Sequence, residues 1–198
     1  MIPYDRALIF EAPDADPRRD RVVRQSPAGR TTIVAVSNSA EAVAIAAELA
    51  DAGARLVELC GGVSPVWRSR AKKALGTRAR VSSATFGIES LGAAARFNQA
   101  FNEGKETKQA FILLEPGANP DADRFVMTPD TIPTPVIPVP DEDAAARIAA
   151  GLADEDVLLI ELFGGFTTEG IERVIAAVDG RSAVGAGSFA IDEVEIGS

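Results

Sequence analysis

The stretch Ala54-Arg55-Leu56-Val57-Glu58-Leu59-Cys60-Gly61-Gly62 returns 103 positions later as Val157-Leu158-Leu159-Ile160-Glu161-Leu162-Phe163-Gly164-Gly165. In both places a short apolar run is interrupted by one glutamate and closed by a glycine pair, the pattern of a buried strand that ends in a tight turn. The same offset brings Pro17 onto Pro120, Asp20-Arg21 onto Asp123-Arg124, Leu49-Ala50-Asp51 onto Leu152-Ala153-Asp154, Arg70 onto Arg173, Arg78 onto Arg181 and Phe86 onto Phe189. One adjustment is needed: Glu11 matches Glu115 at an offset of 104, which places a one-residue gap near Ala12. Two copies of about 100 residues are too long and too few for a solenoid and point to duplication of a half-domain.

Each copy reads the same way. Arg6–Glu11 and residues 110–115 are first strands, followed by loops of about 20 residues rich in Pro, Asp and Arg. Residues 31–37 and 134–140 are second strands. Asn38, with Glu41 three residues on, starts a helix, and Asp141 does so in the second copy. Residues 55–60 and 158–163 are third strands, and helices follow at Ser64-Pro65 and near Thr168. Residues 81–86 and 184–189 are fourth strands, and residues 90–102 form a helix before the polar linker 103–108. Repeat one then spans 4–102 and repeat two 109–198 within a single domain of 1–198. Four strands per copy, joined by helices, imply parallel pairing. The expected fold is α/β, a pseudo-twofold (β/α)8 TIM-like barrel of two half-barrels. The alternative is two small open parallel α/β sheets packed as a pseudo-dimer.

The segment Ala54–Gly62, with residues 7–17 before it and 78–89 after it, resembles a short, single-copy bacterial and fungal family of unknown function. That family carries an acidic strand end, an E-L-C-G-G motif and a final glycine-rich strand. The second copy departs from it, with Phe163 where the cysteine stands and Asp192 in place of Glu89. The resemblance implies an architecture rather than an activity.

Composition narrows the chemistry. The chain has 198 residues, 46% of them hydrophobic and 25% charged, as in an ordinary globular protein. A net charge of −9 disfavours nucleic acid. No apolar run reaches the ~18 residues of a membrane span, and no signal peptide opens the chain, so a cytoplasmic location is expected. Histidine is absent, which removes Ser-His-Asp and Cys-His catalysis and imidazole-bound zinc. Cys60 is the only cysteine, so no intramolecular disulfide forms. The expected partner is a small organic molecule, and a homo-oligomer is left open.

In parallel α/β folds ligands bind beyond the carboxyl ends of the strands. Glu11 and Glu115, Glu58 and Glu161, and Glu89 and Asp192 are the acidic residues expected there. Alternation puts Glu58 and Cys60 on one strand face and Val57 and Leu59 on the other. A carboxylate turned into a barrel is costly unless paired or protonated, and such a site suits a general acid or base. Glu58 and Glu161 are therefore the catalytic candidates, for isomerase, epimerase, lyase or cyclase chemistry without a cofactor. A structural salt bridge is the competing account, and a non-catalytic binding protein the alternative function. Carboxylates also accept Mg2+ or Mn2+, but no clustered ligand run occurs, so no metal is assigned. Gly61-Gly62 and Gly164-Gly165 would serve as tight turns or offer N–H groups to an anion. Arg21 and Arg124 would neutralise a substrate carboxylate or pair with neighbouring aspartates. Cys60 is carried with the glycine pair as a candidate substrate contact; as a nucleophile it lacks a histidine to activate it, and a buried apolar thiol is the competing account.

Overall fold

The computed structural model describes residues 4–60, 63–129 and 133–188. The chain divides into two compact units, Met1–Ala84 with Gly187–Ser198, and Thr85–Ala186.

The first unit contains β1 (Arg6–Glu11), β2 (Arg21–Ser26), β3 (Gly29–Val36), α1 (Ser39–Asp51), β4 (Leu56–Cys60), α2 (Pro65–Leu75) and β5 (Arg80–Phe86), the last two residues of β5 belonging to the second unit. The strand order is β2-β3-β1-β4-β5. β1 pairs in parallel with β3 and β4, and β4 with β5, whereas β2 runs antiparallel to β3. No helix links β1 to its parallel neighbour β3. The chain runs out to β2, turns at Pro27-Ala28 and returns as β3. Gly29 makes that turn possible. Its φ is 118°, and a Cβ there would collide with the backbone of Tyr4, whose N–H donates to Ala28 O at 3.1 Å.

The second unit contains α3 (Leu91–Asn102), entered through a 3-10 turn at Ile88–Ser90, then β6 (Gln109–Leu114), β7 (Phe125–Met127), β8 (Thr134–Val139), α4 (Glu142–Asp154), β9 (Leu159–Phe163), α5 (Thr168–Val178) and β10 (Ala183–Ser188), whose last two residues, Gly187 and Ser188, belong to the first unit. Its order, β10-β9-β6-β8-β7, repeats that of the first unit strand for strand, with β7 antiparallel to β8.

The mixed α/β class and the repeated half-unit follow the sequence, but the closed barrel does not. Each unit carries a fifth, antiparallel strand at one edge, and an all-parallel eight-stranded barrel has no place for it. The alignment near Ala12 also needs correction. Arg6 sits opposite Leu56 and Gln109 opposite Leu159, so the offset of 103 already holds along the first strands. Ala12 N–H donates to Val36 O and Glu115 N–H to Val139 O, at 2.9 and 2.8 Å. Glu115 therefore corresponds to Ala12, and Glu11 to Leu114.

Helix starts form where the sequence marks them. Asn38 accepts from Glu41 N–H at 3.0 Å, and the Glu41 carboxylate takes the Ser37 N–H at 2.8 Å. Asp141 caps α4 through Ala144 N–H, and Ser64 caps α2 with Pro65 in first position. One face of each sheet packs on its helices. Ile9, Val34, Val57, Leu59 and Val81 meet Ile45, Leu49 and Leu75, and Ile112, Ile137, Ile160 and Leu162 meet Leu152, Val174 and Val178. Each such side chain contributes roughly 1.5–3 kcal/mol by burial. Arg78 ties the C-terminus of α2 to α1 through Leu75 O and Asp51, and Arg181 repeats this with Val178 O and Asp154.

Candidate functional site

Because Val57 and Leu59 face the helices, strand alternation turns Glu58 to the opposite face of its sheet, with Leu56 and Cys60. Glu161 is turned likewise, with Leu159 and Phe163. Both carboxylates stand in mid-strand and are buried, at 5% and 0% relative exposure. Their surroundings differ.

Glu58 lies between Leu8 of β1 and Ser82 of β5. Ser82 is buried, and its hydroxyl has no hydrogen-bond partner among the described residues. Gly187 comes down beside both: a Cβ on it would stand 3.3 Å from Ser82 Oγ and 3.4 Å from Glu58 Oε1. A side chain at Gly187 would press on both the carboxylate and the hydroxyl, so its absence lets this stretch of backbone lie beside them. Cys60, also buried, donates its thiol to Glu58 O at 3.6 Å.

Glu161 lies between Phe111 of β6 and Gly185 of β10. The space above Gly185 is filled, since a Cβ there would meet the Phe86 ring at 2.9 Å and Glu161 Cγ at 3.3 Å. Phe111 and Phe163 stack edge to face with centroids 5.6 Å apart. The second glutamate thus has aromatic rings at Phe111 and Phe86 beside it, and the first has Leu8, the Ser82 hydroxyl and Gly187.

The other candidates fall elsewhere. Glu11 is exposed, on the helix side of β1, and accepts from Ser39 Oγ at 2.6 Å. Glu115 is buried at the end of β6, and Glu89 is exposed in the 3-10 turn. Asp192, Gly61 and Gly62 lie outside the described residues. Arg21 is occupied by Pro17 O at 3.1 Å and Glu48 at 3.0 Å, while Asp20 pairs with Arg19 rather than Arg21. That side-chain hydrogen bond to Arg19 holds the Asp20 carboxyl below its ordinary range. Arg124 is exposed to solvent just before β7.

Gly164 and Gly165 have φ of 101° and 89°, as a strand-to-helix turn requires. The N-terminus of α5 beyond them already holds an anion of the chain itself. The Glu142 carboxylate accepts Thr167 N–H at 2.6 Å and Thr167 Oγ1 at 3.0 Å, and pairs with Arg173 at 2.7 Å. Burial acts to raise its pKa, but these partners outweigh burial and hold it below the usual glutamate value. In the first unit Ser39 stands where Glu142 does and Trp67 where Gly170 does. There Arg70 lies over the Trp67 ring, 4.3 Å from its centroid, instead of pairing with a carboxylate. Among the described residues no three acidic or thiol side chains gather as a metal site, and no helix is long and apolar enough to cross a membrane.

Sequence reading did not find Ser82, Gly187 or Phe86. A lone serine, glycine or phenylalanine in a strand carries no signal until the register is known. No curated protein matches the chain. Among solved structures, a carbohydrate transporter from Acidothermus cellulolyticus 11B, crystallised in complex with myo-inositol, is 13% identical over 91% of this chain and 71% of its own, with a TM-score of 0.33. That degree of likeness says nothing of what this chain binds. A family model matches twice, over residues 5–99 and 107–196, and the chain belongs to that family, described as Family of unknown function (DUF6506).

Proposed function

We propose that this member of the family, with its two copies of one fold unit, is an enzyme that moves a proton on a small organic substrate. Glu58 is the acid/base group, and no cofactor is needed. The observation that carries the reading is the buried Glu58 carboxylate on the strand beside a buried Ser82 hydroxyl that has no hydrogen-bond partner among the described residues, with Gly187 next to both. A carboxylate held away from water is the group this histidine-free chain has for proton transfer near neutral pH. In the proposed step Glu58 takes a proton from a carbon next to a carbonyl or carboxyl group. The C–H bond breaks, an O–H bond forms on Glu58, and the electron pair moves onto the substrate oxygen. Ser82 donates to that oxygen as its charge grows. Return of that proton from Glu58 to a neighbouring carbon gives an isomer, and its transfer to a departing β-substituent gives a lyase product. Glu161, fully enclosed beside Phe86, has the weaker claim to this role.

A panel of compounds serves as the test. The protein is incubated in D2O with small keto, hydroxy and sugar acids, and C–H exchange is followed by proton NMR. Wild type is expected to exchange at least one compound, and Glu58→Gln to slow that exchange at least about 100-fold. Exchange that Glu58→Gln leaves unchanged overturns the assignment. Saturable binding without exchange turns the reading to a binding protein.

A further inference from the structure

At the N-terminal end of the first unit's sheet, on the same face as Glu58, Arg6 is buried to 3% exposure. Its Nε and Nη1 have no hydrogen-bond partner among the described residues, and its guanidinium lies 5.6 Å from the centroid of the Tyr4 ring. Directly across on β3 is Thr31, 1% exposed, whose hydroxyl also lacks a partner among those residues. Partners in a parallel ladder point to the same side, so the two orphaned groups are neighbours. The second unit shows how this position is closed without charge. Gln109 and Thr134 occupy the corresponding places, and Gln109 Nε2 donates to Thr134 Oγ1 at 2.9 Å. Replacing that glutamine by arginine forfeits the bond and adds a buried cation, which is costly unless a counter-charge arrives. Arg24 stands opposite Thr31 and Arg80 opposite Leu56, which itself neighbours Arg6. Three arginines therefore share one row on one face, in a chain whose net charge is −9.

We propose that Arg6 and Thr31 form an oxyanion-binding site for the carboxylate or phosphate group of a small ligand. The guanidinium donates N–H groups and supplies the charge, and the Thr31 hydroxyl donates to a second oxygen. The site stands whether or not Glu58 transfers protons, because it rests on different residues and is tested by binding alone.

Thermal unfolding is measured with rising sodium phosphate or sodium malonate, each against sodium chloride of equal ionic strength. Wild type is expected to show a saturable rise in Tm of at least about 3 °C with one of the two. The responding salt identifies the group, phosphate or carboxylate. Arg6→Gln copies the second unit's own pairing, so it should fold and lose the response. Thr31→Val is the second variant, expected to raise Kd for the same anion about tenfold. No response beyond chloride from either anion overturns the site and leaves water as its occupant. A response kept in Arg6→Gln, or, should that variant not fold, an unchanged Kd in Thr31→Val, overturns it equally.

Discussion

Glu58 and Glu161 occupy the same position in two copies of one unit, yet one lies between Leu8 and Ser82 with Gly187 alongside, and the other between Phe111 and Gly185 with the Phe86 ring alongside. Where the first glutamate has a serine hydroxyl on its neighbouring strand, the second has a glycine covered by a ring. The Arg6–Thr31 and Gln109–Thr134 pairs also differ: among the described residues Arg6 and Thr31 leave polar atoms without a partner, whereas Gln109 and Thr134 bond to each other.

The widest separation between the halves should come from their glycines. Gly187→Ala places a methyl beside Glu58 and Ser82 with contacts of 3.4 and 3.3 Å, so its neighbours must give slightly. Exchange activity in the NMR assay should fall at least about 100-fold. A variant that keeps its activity would show that the substrate does not sit beside Gly187.

Stability should separate the two halves in the opposite direction. Gly185→Ala drives a methyl against the Phe86 ring and should cost about 1–3 kcal/mol by overpacking. Glu161→Gln should cost about 3 kcal/mol, because a partnered, fully buried group is altered. Urea unfolding of the two variants decides this, and a loss below about 1 kcal/mol at Glu161 would show that its charge does not hold the fold.

The smallest effect belongs to Glu142, which the second unit has and the first lacks. Glu142→Ala should cost about 1–2 kcal/mol at pH 7. Its folded-state pKa is lowered, so its contribution is complete above the ordinary value of 4.5 and disappears as pH falls through the lower folded value. The gap between wild type and variant in urea unfolding should therefore narrow from pH 7 to pH 3. A gap independent of pH would assign the loss to packing.

Much of the fold is legible in the chain's local chemistry. The strand holding Glu58, the caps at Asn38, Asp141 and Ser64, and the face on which Glu58 lies all follow from periodicity and side-chain type. β2 is not legible because Arg21–Ser26 mixes two valines with two arginines on a half-exposed edge, and β7 has three residues. Without those strands, a barrel is the natural expectation. The pairing of Glu11 with Glu115 misleads for a different reason: chemical identity at an offset of 104 competes with a register that keeps 103. Arg6 passes as an ordinary strand start, because its significance comes from lacking what Gln109 has, a contact across strands.

The edge hairpins also bear on self-association. An exposed sheet edge is a template on which another chain can add a strand. Here the edge strand β2 carries Arg21 and Arg24 and shows Val23 to solvent as an isolated apolar residue, and β7 offers three residues before its neighbour β8 begins with Thr134-Pro135. Charge in one copy and brevity in the other deny an incoming strand a long, flat, apolar seat. The antiparallel turn that breaks the barrel pattern thereby protects each sheet from runaway β-addition.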